Sequence, residues 1–167
     1  MTWWYAVVEA RHELQNPTSP DKIRLLGERL RLGPGSHVLD IASGRGGPAI
    51  LLAEAFGCRL TCVERSPEFV AGARGRVAAA GLERRIELVE ADASTWEPPG
   101  RYDAALCLGA TFVYGGLVPT LERLRAVGVG VLLEDAADHL VRGGAGGRDH
   151  VRQTRIAQPS SARCRRR

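Results

Sequence analysis

The sequence predicts an α/β fold, a doubly wound and mostly parallel sheet in three α/β/α layers. Short apolar runs bounded by glycine alternate with helical patterns from His37 to about Glu134, the order that builds a parallel sheet through right-handed crossovers. The first run, "HVLDIA", ends in a carboxylate and opens into the glycine-rich turn "SGRGG", the way a strand delivers a ligand to a helix N-terminus. The length of 167 residues gives room for one domain and little more.

The elements follow in order. In "TSPDKIRLLGERLRLGPG" Ser19 is placed to cap a helix with Pro20 at its first position, and Ile23, Leu26 and Leu30 share one face. Gly33-Pro34-Gly35 is expected to stop it. The run from His37 to Ala42 is the first strand, and "GPAILLAEAFG" is a helix with Pro48 near its start. "RLTCVE" is the second strand. Ser66 then caps a helix with Pro67 first and Glu68 in its first turn, running to Gly81, with Gly72 and Gly75 each weakening it by about 1 kcal/mol. "RIELVEAD" and "YDAALCLGA" are the third and fourth strands, "LVPTLERLRAV" a helix and "GVGVLLED" a fifth strand. Ligands on such sheets bind at the carboxyl ends of the strands.

The chain divides into an N-terminal helical segment (1–35), the sheet-bearing domain (36–134) and a tail (135–167). The net charge of +4 belongs to the tail. Met1 to Val141 holds 15 Lys and Arg against 18 Asp and Glu, whereas Arg142 to Arg167 holds 8 Arg against one Asp. That tail is rich in Arg, Gly and Ala and lacks either apolar period, so it reads as disordered. Its arginines lack the aromatic interleaving of a nucleic-acid binder, and neither a specific nucleic acid nor a membrane is expected as partner. Apolar runs are too short for a membrane span, and "MTWWYAVVEA" does not read as a leader, which gives a cytoplasmic expectation. Cys58 and Cys62, four apart along one strand, and Cys107 in another read as small buried thiols, and no metal is expected.

Two ligand classes fit the glycine turn. Gly44-Arg45-Gly46-Gly47-Pro48-Ala49 satisfies the G-x-G-x-x-G/A pattern of NAD-binding proteins, and Glu64 follows at about the distance of a ribose-binding acid. Its flanks argue otherwise. An ionised Asp40, four residues before Gly44, would face the pyrophosphate, and two like charges about 4 Å apart cost on the order of 4 kcal/mol at an effective dielectric of 20. Pro48 also removes an N–H from the turn. A nucleoside with a cationic amino-acid end inverts this, because the same carboxylate attracts an ammonium and a sulfonium. S-adenosylmethionine is such a ligand. Glu64 can accept both ribose hydroxyls, and Asp92, just after the third strand, the exocyclic amine of adenine.

The motifs "VLDIASGRGG", "VERSPEFV", "EADA" and "YDAALCLGA", in this order and spacing, resemble those of the class I S-adenosylmethionine-dependent methyltransferases, over roughly His37 to Glu134. The resemblance implies a Rossmann-like fold. It implies that Asp40 and the turn Ala42, Ser43, Gly44, Arg45 and Gly46 hold the methionine end and Glu64, with Arg65 beside it, the ribose. Asp92 with Ala93 would hold the adenine, and Leu108 would lie along the cofactor. The family often has Gly in place of Ala42. Its Pro-Gly-Gly turn before strand five is absent, and the last two strands have no counterpart in the tail, so the fold is expected to lack them. With 22 Arg against the single Lys22 the coding sequence reads as GC-rich, and the chain after about Val127 is alternatively a frameshifted or truncated remnant that at most binds the cofactor.

The expected activity is methyl transfer to a small-molecule acceptor, an in-line displacement that depends on alignment and water exclusion more than on a base. If a base acts, His12 is the candidate. Phe112 and Tyr114, in "GATFVYGG", are placed to wall the substrate, and Trp3, Trp4 and Tyr5 read as a helix face packing on the sheet or, alternatively, as an aromatic substrate wall.

Overall fold

Capping and glycine placement divide the chain much as the periodicity predicts. The computed structural model describes residues 18–134 and 137–140, with side chains through 128. Trp3, Trp4, Tyr5, His12 and the residues from 141 onward, with the expectations placed on them, lie outside. Helix α1 (Pro20–Leu30) begins where Ser19 Oγ accepts from the Lys22 amide at 3.3 Å. Strand β1 (His37–Ile41) leads through the glycine turn into helix α2 (Gly47–Phe56). Strand β2 (Arg59–Glu64) is followed by helix α3 (Pro67–Ala79), capped by Ser66 Oγ accepting from the Phe69 amide at 3.4 Å. Strands β3 (Ile86–Glu90) and β4 (Ala104–Leu108) precede a 3₁₀ turn (Thr111–Tyr114), helix α4 (Leu117–Val127) and strand β5 (Val129–Glu134).

Three details differ from the sequence reading. Helix α1 stops before the Gly-Pro-Gly stretch, because Arg31 takes a left-handed conformation (φ 55°). Its amide donates to Glu28 O and that of Leu32 to Gly27 O, a pairing that closes the helix without glycine. The 3₁₀ turn was not foreseen; four residues are too few for a period. A sixth strand, β6 (Ala137–Leu140), pairs antiparallel with β5 inside the segment assigned to the tail. So one edge strand does follow β5, where none was expected.

The sheet order is β3-β2-β1-β4-β5-β6, and β1 to β5 run parallel. The direction of winding reverses between β1 and β4, the switch point at which such sheets open a crevice. Alternate residues serve two cores. Val38, Leu60 and Leu106 pack with Ile23, Leu52 and Val77 from α1, α2 and α3; Leu39, Ile41, Ala105 and Cys107 pack with Leu124 of α4 on the other face. Cys58, just ahead of β2, Cys62 and Cys107 are free and buried, as expected. Among the described residues no cluster suits a metal, and no helix is long and apolar enough to cross a membrane.

Candidate functional site

The carboxyl ends of β1, β2 and β3 meet the turn after β4 around an open cleft of about 140 Å³. Its walls include Ala42, Glu64, Arg65, Asp92, Ala93 and Phe112, six of the residues singled out from the sequence, together with Val63, Ala91, Ser94 and Val113, which were not. Val63 and Ala91 adjoin residues that were chosen, but alternation sends strand neighbours to opposite faces and Ala91 lies past the end of β3, so periodicity does not implicate them. Ser94 and Val113 sit on loops whose course no periodicity reveals.

Glu64 ends β2 and is almost fully buried. Its Oε2 accepts from the Gly44 amide at 3.0 Å and its Oε1 from the Ser66 amide at 2.9 Å. The carboxylate therefore fastens the glycine turn to the start of α3, and each oxygen keeps lone-pair capacity for a further donor. The sequence reading gave Glu64 a ligand role only. The Ser43 amide donates to Val63 O at 3.2 Å, a second tie between turn and β2. Ala42 and Gly44 both have positive φ, 55° and 56°. The alanine conformation costs about 1–2 kcal/mol that glycine would avoid, so the turn is strained where the family often has glycine.

Asp40 lies beneath this turn rather than in the cleft wall. It stands in register with Cys62 of β2 and Leu106 of β4, is 1% exposed, and its Oδ2 has no hydrogen-bond partner in the protein. Burial, with the Glu64 charge adding to it, pushes its carboxyl up to about 7. Spacing alone predicts an ionised Asp40; in the fold its charge is conditional, because desolvation disfavours the anion until a cation compensates it. Nearby, the Cys62 thiol is pushed well above its usual range by burial and by the Asp40 charge.

Asp92 is half-exposed and points its Oδ1 at Ser94, accepting from the amide at 2.9 Å and the hydroxyl at 2.6 Å. These bonds hold its carboxyl below the usual range. Arg65 Nη1 stands 4.0 Å from Asp92 Oδ2 across the cleft. The guanidinium of Arg45 lies over Gly72 of α3, where a Cβ would meet it at 2.8 Å, so the backbone rather than this side chain is what Arg45 presents at the turn. Gly46 (φ 72°) caps α2, whose N-terminus carries a partial positive charge. Leu108 closes β4 in the first core, 7% exposed.

The two aromatics of the 3₁₀ turn separate. Phe112 lines the cleft and is 68% exposed, with Val118 also prominent. Tyr114 turns inward instead, and its hydroxyl donates to Ala93 O at 3.1 Å. His37, the one histidine with a described side chain, stands at the start of β1, at the amino ends of the strands and so at the opposite end of the sheet from the cleft. Its Nε2 meets Thr61 Oγ1 at 2.9 Å, and it takes no part in this site.

A family model described as a methyltransferase domain matches residues 38–144. The protein YjhP of Escherichia coli is 32% identical over 120 residues, covering 72% of this chain and 48% of its own. The protein-L-isoaspartate O-methyltransferase of Methylorubrum populi is 35% identical over 115 residues, 68% of this chain and 51% of its own. Among solved structures, a SAM-dependent methyltransferase from Thiobacillus denitrificans in complex with S-adenosyl-L-homocysteine superposes with a TM-score of 0.74 at 29% identity, covering 79% of this chain and 55% of that one. The chain thus spans about half the length of the curated relatives it matches.

Proposed function

Because this chain belongs to the family of methyltransferase domains, we propose that it binds S-adenosylmethionine and transfers its methyl group to a small-molecule acceptor. One observation carries the reading. A buried carboxyl with one unpartnered oxygen lies under a strained glycine turn at a helix N-terminus, beside a cleft whose walls bear two further acids from the ends of β2 and β3. The donor set fits the cofactor. Asp40 suits the cationic methionine end, the N-terminus of α2 its carboxylate, Glu64 the ribose hydroxyls, and Asp92 with Ala93 the adenine edge. When bound, the sulfonium supplies a methyl carbon already activated for displacement. The protein then aligns and desolvates: Phe112 gives the acceptor an apolar edge to lie against.

Calorimetric titration of the protein with S-adenosylmethionine and, separately, with NADH tests this. S-adenosylmethionine is expected to bind and NADH not to. Asp40→Asn and Glu64→Ala are expected to weaken S-adenosylmethionine binding about tenfold or more while denaturant melts show the variants folded. NADH binding with S-adenosylmethionine excluded, or unchanged affinity in both variants, would overturn the site. A methyl-release assay over a metabolite panel then separates turnover from the alternative of a chain that binds the cofactor without using it.

A further inference from the structure

Side chains of the segment after β4 fasten the loop that carries Asp92 and Ala93 from one side, while on the β2 side Arg65 Nη1 stands 4.0 Å from Asp92 Oδ2. Tyr114 donates its hydroxyl to Ala93 O at 3.1 Å. From α4, Arg123 reaches Trp96 O at 3.4 Å and Glu97 Oε1 at 2.8 Å. Tyr114 packs, partly buried, against the second core, as do Trp96 and Leu121, so its ring has a packed seat from which the hydroxyl reaches Ala93. The turn that holds Tyr114 also places Phe112 in the cleft, two residues away. One hydroxyl therefore joins the wall bearing Phe112 to the wall bearing Asp92 and Ala93.

We propose that Tyr114 is a positioning residue, a latch that sets the width of the cleft at its nucleoside end by holding the Asp92–Ala93 loop against the turn after β4. This rests on the reading of the cleft as the cofactor site. Without the latch, the loop loses its tie at Ala93 and keeps the Arg123 contacts, the long Arg65–Asp92 pair, the bond from the Ala91 amide to Glu64 O and the local Asp92–Ser94 bonds, and Asp92 samples positions in which its carboxyl no longer meets an adenine amine. The methionine end, held by the turn after β1, is untouched.

The full chain and its Tyr114→Phe, Arg123→Gln and Asp40→Asn variants are titrated with S-adenosylhomocysteine and with methylthioadenosine, which lacks the amino-acid end. Tyr114→Phe keeps the packed ring and removes one hydrogen bond, so both ligands are expected to weaken by the same factor, about fivefold. Arg123→Gln is expected to weaken both equally and by less. Asp40→Asn is expected to weaken S-adenosylhomocysteine while leaving methylthioadenosine unchanged. A folded Tyr114→Phe protein that binds both ligands like wild type, or loses affinity for S-adenosylhomocysteine alone, overturns the latch. Should Tyr114→Phe not fold, Arg123→Gln with unaltered affinities overturns it. If the wild type binds neither ligand, the cofactor reading itself has failed, which is a separate result from failure of the latch.

Discussion

Asp40 enters the sheet with Cys62 beside it, so its charge depends on what the ligand brings. An unfolded aspartyl carboxyl titrates at about 4, and the folded one at about 7. Between those values the native state holds a proton that the unfolded state has lost, so this contribution to stability is complete below about pH 4 and disappears as the pH rises through 7. The three-unit difference sets an upper bound of about 4 kcal/mol. Asp40→Asn is therefore expected to be more stable than wild type at pH 8, with the gap closing toward pH 4.5, as read by urea melts; parallel curves would refute it. A cationic ligand should bind wild type several-fold more tightly at pH 8 than at pH 6 and release a proton on binding, while the asparagine variant shows neither. That Asp40, Glu64 and Asp92 stand at the ends of successive strands was legible from period and spacing. The conditional charge was not, because it arises from burial between β2 and β4 and from Glu64, which the linear sequence does not bring together.

Among the elements, the helix starts were readable because Ser19-Pro20 and Ser66-Pro67 combine a cap with a preset φ. Stops and short turns were less so: Arg31 in the left-handed region carries no compositional signal. Gly72 and Gly75 look alike in sequence, yet the fold separates them. A Cβ at Gly75 meets nothing within 4 Å, whereas at Gly72 it meets the Arg45 guanidinium. Gly75→Ala is expected to stabilise the protein by about 1 kcal/mol through helix propensity alone. Gly128 behaves in the opposite way. It joins α4 to β5, and a Cβ there would stand 2.8 Å from Tyr102 O, a backbone atom that cannot swing aside. Gly128→Ala is expected to cost about 1–3 kcal/mol, the usual range for overpacking. Denaturant midpoints of the two variants should move in opposite directions.

Across the whole molecule, alternation of strand and helix sufficed to predict a parallel, doubly wound sheet, because each apolar run was short and bounded. The same rule could not place β6, a run of four residues that pairs antiparallel with β5. The sheet order also has a temporal consequence. The central strand β1 takes one neighbour from Arg59–Val63 and the other from Ala104–Cys107, so during translation one hydrogen-bonding edge of β1 waits unpaired until the fourth strand has left the ribosome. Chains stalled shortly before Leu108 has emerged should exert no pulling force on an arrest peptide, and longer ones should. In that interval the nascent chain is open to misregistered pairing, and the opportunity for chaperone capture closes only when β4 docks.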